Sequence, residues 1–428
     1  MRTSSTLGSS LGRVLAPPVG TRDLLPPEAA ARRRLVRQVA EVLELRGYSL
    51  VITPPFELVE TVERGLGGDP RETLRFVDPE TGEVSVFRPD LTVQVARLVA
   101  TSLRDRPPPH RLYYEGHVLR ARRGRARRQR QIAQIGAECI GIGGAVGDAE
   151  IIETASRALE EVGLDHRVEL AVVPLVRALS SELAPDVRAR VTEALGRKDR
   201  KAVETALADA HAPRPIARGL ADLEGLTGGA EVIARARAVL GPLAARHLDD
   251  LEALLDALSA RGLSQRIQID LGEVRGFEYY TGPSFSLLAE GPGEPLGGGG
   301  RYDDLLERFG APMPASGFAI DLDHLARAHE RQHPEASFAE RPRVCVRGEN
   351  AASILDALRA HSVPAAWFPG TRDEAIAYAR EWGLDAVIER VGDRATILWQ
   401  ERAEACSVGE IPERVRARKA APHAEDGR

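Results

Sequence analysis

Two glycine- and aromatic-rich segments constrain this chain more than any other part of its sequence. They are Arg275–Gly282, which reads RGFEYYTG, and Gly297–Tyr302, which reads GGGGRY, and about fifteen residues separate them. Glycine leaves the backbone uncovered, so a run of four on a strand forms a floor against which a small ligand can lie. The two segments together predict a small-ligand pocket.

Arg275 and the two tyrosines Tyr279 and Tyr280 are the sharpest chemical signal in the first segment. Adjacent side chains of a strand point to opposite faces. We therefore expect one tyrosine to share the pocket with Arg275 and the other to pack into the core, without distinguishing which is which. Core packing alone would account for the tyrosines but not for a charged residue ahead of them.

The bulk composition is that of a globular protein with two or three domains. The chain has 428 residues and a formal net charge of −5, so its overall charge does not favour nucleic acid. Three widely separated cysteines (Cys139, Cys345 and Cys406) lack the paired spacing of a zinc site. No apolar run reaches the roughly 18–20 residues that cross a bilayer. We expect a cytoplasmic protein with no membrane partner and no metal or other cofactor.

Changes in composition along the chain divide it into four parts. Residues 1–15 are expected to form a disordered tail. Residues 16–328 predict an α+β core with a largely antiparallel sheet, interrupted by an all-helical insertion at about 170–262. A small α/β module with a partly parallel sheet follows over 342–412. Residues 413–428 are charged and are expected to form a mobile tail.

Asp90 and Thr92 stand where a helix is predicted to begin. A carboxylate and a hydroxyl at that point can hold the ammonium group of a ligand. The alternative is that they cap the helix, because Asp and Thr are favoured at that position in any protein.

An arginine-rich stretch begins at Arg120, and seven of the eleven residues from 120 to 130 are arginine. Such a density of guanidinium groups could bind a phosphate-rich partner. It could equally be a solvated loop between two strands. No aromatic side chain is interleaved with the arginines, which weakens the case for single-stranded nucleic acid.

Gln134 and Glu138 are four residues apart on the strand that follows, so both side chains face the same side. A buried carboxylate needs a partner, and a ligand imidazole would suit Glu138. The alternative partner is a nearby arginine in a cross-strand ion pair.

Together these segments resemble histidyl-tRNA synthetase and its close paralogue, the regulatory subunit of ATP phosphoribosyltransferase. The resemblance spans roughly residues 17–325, with a weaker likeness in the C-terminal module to a reduced anticodon-binding domain. It implies a core built on the antiparallel sheet of class II aminoacyl-tRNA synthetases.

Three departures from the synthetase pattern favour the regulatory paralogue. Arg122 stands where a synthetase has a glutamate that helps to hold ATP. Asp90, in the segment Arg88–Thr92, stands where a synthetase usually has a glutamate followed by glycine. His324 follows Gly317–Asp323 at the position where a synthetase has an arginine for the γ-phosphate. Histidine is shorter than arginine and carries no fixed charge at neutral pH. The resemblance therefore implies a non-catalytic protein, with an active histidyl-tRNA synthetase as the alternative.

The resemblance also implies the composition of a histidine site and the partners of the chain. Asp90 and Thr92 would bind the α-ammonium group, while Glu138 and one of the two tyrosines orient the imidazole. Three further residues would hold the carboxylate or complete the site, and these are Arg120, Gln134 and Arg275.

In this family the regulatory subunit joins a short-form catalytic subunit in a hetero-octamer at the first step of histidine biosynthesis. It takes part in feedback inhibition by histidine and does not charge tRNA. A homodimer through the region of Pro54 is expected from the scaffold.

Overall fold

The computed structural model describes residues 15–66, 73–121, 129–274, 280–334, 343–392, 394–399 and 402–419. The chain divides into two compact units, Met1–Ala336 and Ser337–Arg428. None of the helices within the described ranges has the length and apolar character needed to span a membrane.

The first unit is organised around a nine-stranded sheet with the order β1-β5-β6-β12-β11-β10-β7-β9-β8. Its six central strands, from β5 to β7 in that order, are all antiparallel to their neighbours. Among the described strands of this sheet, only β1 with β5 and β7 with β9 pair in parallel. The predicted α+β fold with a largely antiparallel sheet is confirmed. The strands of this unit are β1 Ser49–Leu50, β2 Phe56–Leu58, β3 Leu74–Val77, β4 Val84–Phe87, β5 His110–Leu119, β6 Gln131–Ile140, β7 Arg167–Ala171, β8 Thr227–Gly228, β9 Ile267–Asp270, β10 Ser284–Leu288, β11 Gly297–Arg301 and β12 Ala315–Asp321.

Helices cover both faces of this sheet. The described helices are α1 Glu28–Leu45, α2 Val59–Leu66, α3 Thr92–Ala100, α4 Gly144–Glu161, α5 Val173–Leu179, α6 Pro185–Gly196, α7 Arg200–Asp209, α8 Arg214–Asp222, α9 Glu231–Leu240, α10 Ala245–Ser259, α11 Asp304–Glu307 and α12 Leu322–Gln332. One face packs against α4 and α12, which in turn contact α1. Helix α1 turns a stripe of fully buried Leu35, Val39 and Leu43 inward, as its helical spacing requires. Helix α3 packs on the opposite face.

The predicted insertion contains helices α5 to α10, but it is not all-helical. Its short strand β8 pairs with β9, where Thr227 lies opposite Asp270. Without β8, the outer edge of β9 would present unpaired backbone groups, and this short glycine-containing segment extends the sheet there.

A separate three-stranded sheet, β2-β4-β3, carries an apolar outer surface. Phe56 and Leu58 are 41% and 40% exposed, Phe87 is 38% exposed, and Ile52 close by in the chain is 84% exposed. Phe76 lies between Phe56 and Phe87, with ring centroids 5.5 Å and 5.2 Å away. We call the surface formed by Phe56, Leu58, Phe76 and Phe87 the aromatic patch.

The second unit contains a five-stranded sheet with the order β14-β13-β15-β16-β17. Strands β14, β13 and β15 are parallel and the other pairs antiparallel, so the sheet is partly parallel. Its elements are β13 Val344–Gly348, α13 Ala351–Ala360, β14 Ala365–Trp367, α14 Arg372–Glu381, β15 Ala386–Val391, β16 Arg394–Trp399, β17 Ala403–Ser407 and α15 Ile411–Lys419.

The expectation of a mobile tail from residue 413 is wrong for the part that the structure describes. Helix α15 continues to Lys419, and its Ile411 and Val415 are fully buried. Both side chains join the apolar core of the second unit. Two apolar residues four apart form one face of a helix, and this short signal stood out poorly among charged neighbours. Residues 420–428 and the predicted tail at 1–14 lie outside the described residues.

Candidate functional site

Glu138 is the centre of the candidate site. It lies on β6, its side chain is 1% exposed, and it accepts hydrogen bonds from two phenols. Tyr114 on β5 donates to Oε1 over 3.1 Å, and Tyr302 donates to Oε2. Both oxygens of this carboxylate accept hydrogen bonds from hydroxyl groups, and among the described residues no arginine forms the alternative cross-strand ion pair with it.

Burial raises the pKa of Glu138 to about 8. Hydrogen bonds from Tyr302, Thr92 and Tyr114 oppose this shift, and the negative charge of Asp90 adds to it. Burial has the larger effect because the ionised carboxylate loses most of its hydration. A carboxyl group with such a pKa can exchange its proton near neutral pH, which suits pairing with an imidazole.

Asp90 and Thr92 lie beside this carboxyl group, so the structure brings these predicted residues together with Glu138. Thr92 is the first residue of α3, and its hydroxyl is hydrogen bonded with Glu138 and Tyr114. Asp90 Oδ1 accepts from the backbone N–H of Val93 over 3.3 Å. Asp90 therefore contributes to the helix start, and its negative charge also acts on the site. The two interpretations of the sequence are compatible.

Tyr280 is the tyrosine of the first glycine-rich segment that the structure describes, and it lies near Glu138 and Asp90. Burial raises the pKa of its phenol, and the charges of Asp90 and Glu138 raise it further, which places the ring close to both carboxyl groups. The ring packs against the apolar cluster that includes Leu91. Tyr279 and Arg275 lie outside the described residues.

Two glycines make room for these side chains. A Cβ atom at Gly317 on β12 would stand 1.6 Å from Glu138 Oε2, and one at Gly300 on β11 would stand 2.8 Å from Tyr280 Cδ1. Gly317 is paired with both Gly300 and Glu138 across the sheet, and cross-strand neighbours point to the same face. The glycines thus lie directly under the Glu138 and Tyr280 side chains, on the strand that the sequence predicts.

Gln134 lies on the same face of β6 as Glu138, where it is paired with Gly116 on β5 and Asp321 on β12. It is partly exposed. Arg120 follows β5 and is exposed, and its backbone N–H donates to the Arg130 carbonyl over 3.0 Å. Within the described ranges, no hydrogen bond or ion pair joins either side chain to Glu138. Arg122 and the rest of the arginine-rich loop over 122–128 lie outside the described residues.

Comparisons with known proteins show the family of the chain. The histidyl-tRNA synthetase family model matches residues 20–325. The ATP phosphoribosyltransferase regulatory subunit of Moorella thermoacetica is 41% identical over 322 residues, covering 74% of this chain and 82% of the relative. This chain belongs to the family of ATP phosphoribosyltransferase regulatory subunits.

Two further members of this regulatory-subunit family agree. The regulatory subunit of Anaeromyxobacter dehalogenans is 41% identical over 342 residues, covering 79% of this chain and 98% of the relative. A solved structure from Bacillus halodurans, described as an ATP phosphoribosyltransferase regulatory subunit/histidyl-tRNA synthetase, has a TM-score of 0.78 and 29% identity. That match covers 88% of this chain and 98% of the solved chain. The resemblance inferred from sequence and the class II synthetase-like fold are confirmed.

His324 is held away from solvent in this family member. Its side chain is 8% exposed. Nδ1 lies 2.8 Å from the carbonyl oxygen of Pro295 and must be the donor, because a carbonyl only accepts. Nε2 is 3.9 Å from Glu294 Oε2. The imidazole is therefore engaged with the β10–β11 connection, where an arginine would add a longer reach and a fixed charge.

Sequence reasoning missed two members of the site, Tyr114 and Tyr302. Tyr302 closes the GGGGRY segment and had no role assigned to it. Tyr114 follows another tyrosine, and its position opposite Gly136 depends on strand register. A Cβ atom at Gly136 would lie 2.6 Å from the Tyr114 hydroxyl. A glycine opposite a tyrosine is a usable signal only when the pairing is known.

Proposed function

We propose that this chain is the non-catalytic regulatory subunit of an ATP phosphoribosyltransferase, needed for the activity of a short-form catalytic subunit. The complex would carry out the first step of histidine biosynthesis in the cytoplasm, with feedback inhibition by histidine. Membership of the regulatory-subunit family supports this assignment. The observation that carries the ligand assignment is the buried Glu138, surrounded by Tyr114, Tyr302, Thr92 and Asp90.

L-histidine is the ligand that we propose for this pocket. Its imidazole would pair with Glu138 and lie against Tyr280, while Asp90 and Thr92 take the α-ammonium group. Arg120, Gln134 and Arg275 would hold the carboxylate, as the resemblance implies. An imidazole N–H satisfies a buried carboxylate, and an imidazole can also carry the proton that Glu138 gives up.

Loss of adenylate chemistry is the second part of the proposal. Transfer of an adenylyl group needs permanently charged cationic side chains that contact the nucleotide phosphates. His324 carries no such fixed charge and its Nδ1–H is already bound to the Pro295 carbonyl. By linkage, histidine inhibits the complex only if it binds one state of the assembly better than another. No tRNA substrate is expected.

Two protein interfaces belong to this proposal. The aromatic patch supports a homodimer in the region after Pro54, because exposed phenylalanines on a small sheet gain free energy when a second copy covers them. The hetero-octamer would add the catalytic subunits to such dimers.

The test compares two activities of the purified, folded chain. Histidine-dependent ATP–pyrophosphate exchange should be absent, and addition of the chain to a short-form catalytic subunit should raise its transferase activity. Histidine should then reduce that activity. Robust exchange would instead identify an active histidyl-tRNA synthetase, and a catalytic subunit that is equally active without this chain would rule out the regulatory role.

A further inference from the structure

Arg301 is a buried charged residue directly behind the candidate site. It is the last residue of β11, between Gly300, which faces Tyr280, and Tyr302, which binds Glu138. Neighbouring residues of a strand point to opposite faces. The Arg301 side chain therefore leaves the site and runs toward α4, where it is 11% exposed.

Three carboxylates surround the Arg301 guanidinium. Nη1 lies 3.2 Å from Asp148 Oδ2, Nε lies 3.6 Å from Asp303 Oδ2, and Nη2 lies 4.0 Å from Asp250 Oδ2. Asp148 on α4 is the most buried of the three, with a side chain 4% exposed. Asp303 and Asp250 are 41% and 47% exposed, so solvent screens them, and Asp148 is the nearest and most buried of the three. Burial raises the pKa of Asp148 to about 7, and the positive charge of Arg301 opposes this shift.

The backbone around Arg301 binds the segment that carries Tyr280. The Arg301 carbonyl accepts from the Thr281 N–H over 2.8 Å, and the Arg301 N–H donates to the Pro283 carbonyl over 3.1 Å. A Cβ atom at Gly282 would stand 2.2 Å from Arg301 Nε, so the guanidinium lies directly against this glycine. The residues that follow Tyr280, from Thr281 to Pro283, thus pack directly against Arg301.

The same arginine is adjacent in sequence to the other tyrosine. Tyr302 donates its backbone N–H to Ala315 over 2.8 Å and its phenol to Glu138. Any shift of the Arg301 backbone is therefore transmitted to both phenols of the pocket. An ion pair taken out of water stabilises a fold little when apolar side chains could replace it. The role of the Arg301–Asp148 ion pair here is to fix the positions of the two segments that carry Tyr280 and Tyr302.

We propose that Arg301, with Asp148 as its counterion, is a positioning residue that holds Tyr280 and Tyr302 around Glu138. The affinity of the pocket then depends on an ion pair on the helix-covered side of the sheet. This inference rests on the proposed function, because histidine is taken as the ligand. It adds two residues that touch neither the ligand nor Glu138.

The experiment uses the full chain with the neutral pair Arg301→Met and Asp148→Asn, which leaves no buried charge without a partner. The Kd of L-histidine is measured by calorimetry, and the ionisation of Glu138 is followed in the ligand-free protein by carbon NMR of its carboxyl group. The Glu138 signal is assigned by its disappearance in Glu138→Gln. Thermal unfolding followed by circular dichroism establishes that the double variant is folded.

We expect the double variant to bind L-histidine about tenfold more weakly, the effect of one lost hydrogen bond to a charged group. The midpoint of the Glu138 titration should also rise, because the phenol of Tyr302 no longer stabilises the ionised form. A merely structural ion pair would not move that midpoint. The control is Arg46→Met with Glu153→Gln, which removes an ion pair of 2.8 Å between α1 and α4 and should change neither quantity.

The outcomes separate this inference from the proposed function. A folded double variant with unchanged affinity and an unchanged Glu138 midpoint overturns the positioning role. A wild-type protein that does not bind L-histidine, combined with a raised midpoint in the variant, refutes the proposed ligand and supports the positioning role. If the double variant does not fold, Asp148→Asn alone keeps the Arg301 backbone contacts, and it should raise the midpoint by a smaller amount. No movement in that variant overturns the inference.

Discussion

Replacing Glu138 by glutamine should remove one limb of the pH profile of histidine binding. In the proposed complex, one proton is shared between the Glu138 carboxyl group and the ligand imidazole. Between about pH 6.5, where a free imidazole loses its proton, and about 8, the pKa of Glu138, the separate partners also hold one proton in total. Binding then neither takes up nor releases a proton, so the affinity should be flat.

Outside this window the affinity should fall. Above the pKa of Glu138, both partners are deprotonated and binding has to take up a proton, so the Kd rises toward about tenfold per pH unit. Below about pH 6.5 both partners are protonated and binding has to release a proton, which again raises the Kd. Glutamine does not ionise, so Glu138→Gln should lose the contribution of Glu138 at high pH. Any limb that remains there belongs to the ligand ammonium group.

The size of the effect at pH 7 follows from the burial of the site. At one unit below a pKa of about 8, about one-tenth of the empty sites are ionised. The bound form nevertheless contains a hydrogen bond to a charged group, and such a bond is worth about 1.5–3 kcal/mol. Glu138→Gln should therefore weaken binding roughly 10- to 150-fold at this pH.

The assay is calorimetric titration of L-histidine from pH 5.5 to 9.5 on the wild type and the variant. The matched control is Glu153→Gln on α4, whose carboxylate pairs with Arg46 away from the pocket. It should reproduce the wild-type profile. If wild type and Glu138→Gln show the same high-pH limb and the same Kd at pH 7, Glu138 is not the group that pairs with the imidazole.

Further predictions concern stability and assembly. The pKa of Glu138 is raised from 4.5 to about 8 in the folded, ligand-free protein, so the stability of the fold should fall as the pH rises through this range. The urea midpoints at pH 5 and pH 8.5 should therefore differ less in Glu138→Gln than in the wild type. Equal differences in the two proteins would contradict the burial argument. Phe87→Asp in the aromatic patch should sediment as a monomer at concentrations where the wild type is dimeric. The control is Val391→Asp, at a position 72% exposed in the second unit, and it should remain dimeric. If both variants are dimers, the interface lies elsewhere. Val415→Asp should destabilise the second unit by at least about 2 kcal/mol because it buries a charge. The measurement is amide hydrogen exchange over 343–419, which should become faster. Unchanged exchange would mean that α15 does not pack against the core of the second unit.

Local patterns accounted for the parts of the fold that depend on neighbouring residues. The glycine run at 297–300 predicted a strand that forms a floor, because four residues without side chains leave the backbone uncovered. The alternation along 131–140 predicted that Gln134 and Glu138 share a face, and the register agrees. The short apolar signal of α15 was missed because Ile411 and Val415 are buried by residues far away in the sequence.

The candidate site was only partly predictable for the same physical reason. Asp90, Thr92 and Glu138 were found because each stands in a recognisable segment, and the structure brings them together. Tyr114 and Tyr302 were not found, because their role depends on contacts across 24 and 164 residues of chain.

By itself, the sequence determined the family, the α+β class and most of the polar groups of the pocket, since those are properties of local segments. Only the tertiary structure decided that Tyr280 lies near Glu138 and Asp90, that two further phenols hold Glu138, and that Arg301 turns away to meet Asp148. Strand register and helix packing set these contacts. A shift of one residue in register would point each of these side chains to the opposite face of the sheet.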